Sequence, residues 1–283
     1  MELRLRPAAE ADIADCGRII YEAFKGIAEA HGFAPDIPDV EAGQHLADVF
    51  IRHPSFYGVV AESGGRIVGS NFLDERGAIR GVGPITVDPA AQRGGVGRAL
   101  MRAVIDRGQG APGIRLLQDA FNTLSMPLYA SLGFDTKEPI AFVKGTPRSR
   151  PSAAVEVRPM KEEDLDACAR LCRRAHGFDR TNELSDNVRG FSPYVALRGG
   201  RLTAYGVVAF FGHGVAETEQ DMKDLLLGVA ADAGEISFLL PTRQAGLFRW
   251  CLSEGMRVVK PMTLMAIGEY QEPQGCWFPS VLY

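Results

Sequence analysis

Apolar residues in the first half of the chain change period in a regular order. A short alternating run at 3–6 gives way to a 3.6-residue pattern over about 9–30, and a second helical pattern covers about 40–52. Two β-rich runs flank Gly64-Gly65-Arg66 and predict a hairpin over 57–73. An apolar run at 80–87 breaks at Asp88-Pro89, passes a turn crowded with glycine and arginine, and resumes as a helix over 95–109. A strand at 114–120, a short helix near 124–132 and a final strand near 139–144 complete the series. Strand and helix periods intermixed in this way predict an α/β domain with a mixed sheet, of α+β type.

The pattern then starts again. Leu5-Arg6-Pro7-Ala8-Ala9-Glu10-Ala11-Asp12-Ile13-Ala14-Asp15-Cys16 returns as Val157-Arg158-Pro159-Met160-Lys161-Glu162-Glu163-Asp164-Leu165-Asp166-Ala167-Cys168, with Arg, Pro, Glu, Asp and Cys in step. The hairpin returns around Gly199-Gly200-Arg201, and Leu128 to Phe134 has a weaker echo in Trp250 to Met256. Between the copies, residues 144–152 concentrate Pro, Ser, Gly and Arg, as linkers do. Two tandem domains are expected, 1–146 and 153–283.

Length and composition agree. The 283 residues suit two domains, and 46% hydrophobic residues supply two cores. A net charge of −4 gives no general attraction to nucleic acid or to an anionic membrane, so an anion site must be local. Met1 to Arg6 lacks the apolar core of a signal peptide, and no run reaches the ~20 apolar residues of a membrane span. The five cysteines fit free thiols in a reducing cytoplasm better than a disulfide framework. Cys168 and Cys172 have no second Cys/His pair beside them, so no metal site is expected.

The chemistry centres on the turn Asp88 to Arg98. Glycines allow close approach of a ligand, and the first N–H groups of the following helix lack intrahelical partners; with the helix dipole they suit a phosphate or pyrophosphate. A Walker loop needs Lys and Ser or Thr where Arg98-Ala99 stands, and a dinucleotide fingerprint needs a third glycine where Leu100 stands. A glycine turn with no ligand is the plain alternative. What remains, Gln92-x-x-Gly95-x-Gly97, resembles the acyl-CoA pyrophosphate loop of the GCN5-related N-acetyltransferases (GNAT). The segment Asn122-Thr123-Leu124-Ser125-Met126-Pro127-Leu128-Tyr129-Ala130-Ser131-Leu132-Gly133-Phe134 resembles a second motif of that family.

The resemblance covers essentially residues 1–145 and implies a GNAT fold with acetyl-CoA as co-substrate. It implies that Gln92, Arg93, Gly94, Gly95, Val96, Gly97 and Arg98 hold the pyrophosphate and that Ile85, Thr86 and Val87 lie beside the pantetheine arm, Val87 offering its N–H to the thioester carbonyl. Asn122 is placed at the cofactor or at a helix cap, and Tyr129 as the general acid toward the leaving thiolate. The base is unassigned: the strand before the loop reads Val82-Gly83-Pro84 where the family often carries Glu. Asp74 and Glu75 are candidates to take its place but read first as solvent-exposed turn carboxylates, and His31, His45 and His53, in the segment that covers the acceptor pocket in this fold, as ordinary histidines.

In the second copy, Glu217, Glu219 and Asp221 stand before a helix expected at 222–231, where they would repel a phosphate, and Gln244 and Cys251 replace Asn122 and Tyr129. That copy is expected to be degenerate, either purely structural or shaping the acceptor site with residues 277–283 packed at the domain junction. The expected activity is direct acetyl transfer to an amine, chiefly a small molecule, with an acyl-CoA sensor lacking turnover as the competing class. Neither nucleic acid nor membrane is an expected partner, and the sequence leaves a homodimer open.

Overall fold

The two repeats begin with the same hydrogen bonds. In the computed structural model, which describes residues 3–92, 94–186 and 192–283, strands β1 (Leu3–Pro7) and β8 (Val155–Pro159) both end at a proline. The Arg6 guanidinium donates to the Asp12 carboxylate at 2.6 and 2.7 Å and to the Pro7 carbonyl at 3.1 Å. Arg158 does the same to Asp164 at 2.7 and 2.9 Å and to Pro159 at 3.0 Å. Each aspartate also accepts a backbone N–H from three residues earlier, Ala9 or Lys161, at 2.8 Å. The corner so fixed launches α1 (Ile13–Ala30) and α5 (Leu165–His176), with Cys16 and Cys168 fully buried on them.

The hairpins repeat as closely. Strands β2 (Phe56–Ser63) and β3 (Arg66–Asp74), and later β9 (Tyr194–Arg198) and β10 (Arg201–Gly206), turn through paired glycines in the left-handed region. The register slips by one residue at the same place in both. Glu62↔Ile67 is followed by Ala61↔Gly69, and Leu197↔Leu202 by Ala196↔Ala204. A bulge kept at one position in two copies marks them as products of one plan.

One compact unit comprises Met1–Leu116 and Phe121–Phe134. Its strands run in the order β1-β2-β3-β4-β6, with β4 at Arg80–Val82 and the part of β6 (Gly113–Asp119) up to Leu116. The short β5 (Thr86–Val87) also pairs with β3. The strand expected at 80–87 is therefore two pieces. Leu73 pairs with Val82 but Ser70 with Thr86, so Gly83-Pro84-Ile85 holds one residue more than β3 opposite it. β4 and β6 are parallel and joined through α3 (Val96–Arg107). Helix α2 (Val40–Arg52) packs on α1 so closely that a Cβ on Gly17 or Gly43 would strike the other helix's backbone. Ile19 and Ile20 of α1, Phe50 of α2, Phe72 of β3, and Leu100, Met101 and Val104 of α3 are buried in this unit's core.

The other unit comprises Leu117–Ala120 and Asp135–Tyr283. Strand β7 (Asp135–Gly145) lies between β12 (Ile236–Pro241) and β13 (Arg257–Gly268), antiparallel to both, with Ala141 opposite Leu240 and Pro261. A second sheet has the order β14-β11-β10-β9-β8, with β11 at Gly214–Ala216 and β14 at Cys276–Phe278. Helix α7 (Glu219–Ala233) buries Met222, Leu225 and Leu226 in a core shared with Phe238, Leu247 and Phe278. The one-turn α6 (Asn182–Ser185) and α8 (Ala245–Ser253) complete the unit. Residues 277–283 pack within it, Trp277 and Tyr283 joining Ile140, Leu239, Met262 and Leu264 in one cluster.

The final strand expected for the first repeat is thus the middle strand of β12-β7-β13. The residues expected as linker are tied down: Glu254 accepts the N–H groups of Arg148 and Ser149 at 2.9 and 2.8 Å and the Ser149 hydroxyl at 2.7 Å. Among the described residues, no helix is long and apolar enough to cross a membrane.

Candidate functional site

Alternation along β5 sorts its side chains. Thr86 is buried with its hydroxyl 3.3 Å from that of Ser70, while Ile85 and Val87 are half-buried. β5 bonds β3 along one edge; among the described residues no strand pairs with the other. The β4–β6 ladder ends at Gly81↔Arg115 and does not extend alongside β5. An open edge presents N–H and C=O groups to any extended chain of amides.

Beyond Val87 the chain turns at Asp88, whose carboxylate accepts the Ala90 N–H at 2.9 Å. Gln92 and Gly94 are exposed, and Arg93 lies outside the described residues. Gly95, at φ +82°, precedes α3. A side chain there would bear a left-handed backbone at a cost of about 1–2 kcal/mol. Having no side chain, Gly95 leaves the N–H groups of Val96, Gly97 and Arg98 uncapped, and α3 has no acid in its first turn. Added Cβ atoms at Gly94 and Gly95 would meet nothing nearer than the Ala91 carbonyl at 3.5 Å. At Gly97 one would sit 3.5 Å from Leu128 and 3.7 Å from Val87, an ordinary contact. Packing does not demand glycine at 94 or 97; a methyl there would take up the cradle itself. The turn therefore fits a diphosphate held by backbone donors.

The two sequence motifs meet here. Leu128 stands over Gly97, and Arg98 donates to the Ser131 hydroxyl at 2.9 Å, tying α3 to α4 (Ser125–Ser131). The Arg98 side chain is thus directed at α4, leaving its backbone N–H for the cradle. Asn122 accepts the N–H groups of Leu124 and Ser125 at 3.2 and 3.1 Å, so it acts as the cap of α4. Tyr129 is buried on α4 with its ring edge-on to Phe134. Its carbonyl accepts the N–H groups of Leu132 and Phe134, fixing the turn through Gly133.

The candidate bases fare differently. Asp74 is not an exposed turn carboxylate: it is buried and clasped by the Arg76 side chain at 2.9 Å and backbone N–H at 3.0 Å. Glu75 is held by both ends of the Arg107 fork at 3.1 and 3.0 Å. The His53 ring accepts the Ser55 N–H, while His31 and His45 are exposed. Sequence reasoning missed the ring of Phe33 stacked on Phe121 at 4.2 Å, because Phe33 stands alone in a stretch without period. It also missed a mixed-charge cavity of about 620 Å³ beside the turn, lined in part by Arg6, Asp15, Arg18, Arg66 and Asp88.

The second copy shows the contrast. Register against β3 and β10 sets Ala216 where the first copy has Val87, and Gly214 where it has Ile85. Helix α3 begins nine residues after Val87 but α7 three after Ala216, so the second turn is six residues shorter. α7 begins at Glu219, ahead of the expected 222, which puts Glu219 and Asp221 inside its first turn. The Thr218 hydroxyl caps it by accepting the Asp221 N–H at 3.1 Å. The donors that the first copy leaves open are here covered by the chain's own groups. Cys251, in the place of Tyr129, is buried, and burial pushes its thiol up to about 12.

Residues 20–134 match the model of the acetyltransferase (GNAT) family. No curated protein matches the sequence. Among solved structures, a protein of Pyrococcus horikoshii is 18% identical with a TM-score of 0.79, the match covering 99% of this chain and 94% of that one. A GCN5-related N-acetyltransferase of Sphaerobacter thermophilus is 17% identical with a TM-score of 0.62, over 96% and 98%. A tandem GNAT protein from the clavulanic acid biosynthesis pathway is 13% identical with a TM-score of 0.59, over 95% and 100%. These likenesses are of fold and run nearly end to end. The family match spans both motifs of the site, and it is this segment, residues 20–134, that carries the likeness to the acetyltransferase (GNAT) family.

Proposed function

We propose that the first repeat moves the acetyl group of acetyl-CoA directly to the nitrogen of a small-molecule amine within a ternary complex. The observation that carries this reading is the convergence of an open β5 edge, an uncapped glycine turn and the Tyr129 helix in one unit. The turn from Gln92 to Arg98 takes the pyrophosphate, and Ile85, Thr86 and Val87 run beside the amides of the pantetheine arm. The neutral amine attacks the thioester carbonyl, a C–N bond forms, and the oxygen gains negative charge. The Val87 N–H donates to it. Collapse breaks the C–S bond, and the Tyr129 phenol gives its proton to the departing thiolate. The proton lost by the amine leaves through water, since Asp74 and Glu75 are both engaged by arginines.

Tyr129→Phe tests the reading. It should bind acetyl-CoA as the wild type does while CoA release, followed with a thiol reagent, falls by about 100-fold or more. Undiminished release in that variant refutes the assignment. A second reading, an acyl-CoA sensor without turnover, draws support from the same paired carboxylates, which leave no free base on the first repeat's hairpin. Absence of CoA release by the wild type across a broad amine panel would favour the sensor.

A further inference from the structure

The second repeat has not lost every part of the site. β11 occupies the register position of β5, and its outer edge is filled by β14, with Val215 opposite Trp277 and Gly214 opposite Phe278. A three-residue strand is too short to hold by its ladder alone, and two other features secure it. The Gln244 side chain donates to the Trp277 carbonyl at 2.5 Å and accepts the Trp277 N–H at 3.1 Å, so one amide pairs with the other as a neighbouring strand would. Gln244 stands at the place of Asn122, and its extra methylene turns a helix cap into a latch.

Beneath the strand, the Phe278 ring sits in a notch made by Gly214 and Gly206. Its Cζ would be 3.0 Å from a Cβ on Gly206, and a Cβ on Gly214 would overlap it. The first repeat carries Ile85 where Gly214 stands, so the notch belongs to this copy.

Resting on the reading of β5 as the edge for the pantetheine arm, we propose that residues 276–278 are a tethered occupant of the corresponding edge in the second repeat. They substitute for the extended diamide of an acyl-pantetheine and close that edge in cis. The edge retains the capacity to take such an arm without its nucleotide, because the strand survives while the phosphate turn does not. The chain accordingly takes up one acetyl-CoA while holding a second, masked edge for a pantetheine thioester.

Hydrogen exchange on the full chain, with S-acetylpantetheine and acetyl-CoA as probes, tests this. In Gly214→Ala, whose added methyl would lie nearest the Phe278 ring and next the Tyr205 carbonyl, exchange at 214–216 and 276–278 should rise together by at least tenfold. Millimolar S-acetylpantetheine should then restore protection at 214–216 and not at 276–278. A rise confined to 276–278, or no restored protection at 214–216, overturns the proposal. Should Gly214→Ala not fold, the wild type decides: excess S-acetylpantetheine should speed exchange at 276–278 while 214–216 stays protected, and no change at 276–278 overturns it. Acetyl-CoA should slow exchange at 85–98 in every case; failure there alone would count against the reading of the first repeat, not against the masked edge.

Discussion

At the scale of single residues, the site depends on what the side chains leave out. Gly94 is exposed and has room for a side chain, so its replacement tests the cradle without disturbing the core. Gly94→Glu places in the first copy the kind of charge that Glu219 and Asp221 bring to the second. Its dissociation constant for acetyl-CoA, by calorimetry, should rise at least tenfold, about 1.4 kcal/mol. Its thermal midpoint should stay that of the wild type, and Gly94→Ala should weaken binding less. An unchanged constant in Gly94→Glu would remove the turn from the site. The loop was legible in the sequence because its spacing is contiguous. The base was not, because whether Asp74 meets solvent or Arg76 is decided by folding.

Elements carry the pH dependence. Hydrogen bonds from Arg6 and Arg158, helped by the Ala9 and Lys161 N–H groups, outweigh burial and hold Asp12 and Asp164 below the usual carboxylate range. A carboxylate depressed in the folded state contributes stability that is complete above its unfolded value, about 4, and is lost as pH falls through its folded value. Urea unfolding should therefore show stability dropping below about pH 4, and Asp12→Asn should flatten that drop. At pH 7 the same change should cost about 1–3 kcal/mol, because the half-buried Arg6 guanidinium loses a charged acceptor. A pH profile identical to the wild type's would contradict the corner's role. Periodicity showed most elements to within a residue or two: α2 is expected and found at 40–52. It did not show the break between β4 and β5, since Val82 to Val87 has no regular alternation and a bulge leaves no mark on such a run.

At the scale of the whole molecule, repeats in sequence and compact units in space divide the chain differently. Self-similarity ends the first repeat near 146, whereas the first unit ends at Phe134 and β7 pairs with β12 and β13. Alternation along β7 shows that it is a strand but not which strands flank it. Fragments cut at the linker should show this. Residues 1–146 alone would carry β7 without either partner, and 153–283 would lack its middle strand. Each expressed alone should melt without a sharp transition, while the two produced together should copurify and regain one; independent cooperative melting of each would refute the pairing.

The placement of β7 also bears on descent. A duplicate without the open glycine turn would ordinarily be free to erode and disappear. Here the copy without a cradle surrounds a strand encoded in the other, so its deletion would strip that strand of both neighbours. Selection for folding alone is enough to retain it, whether or not it ever touches a substrate.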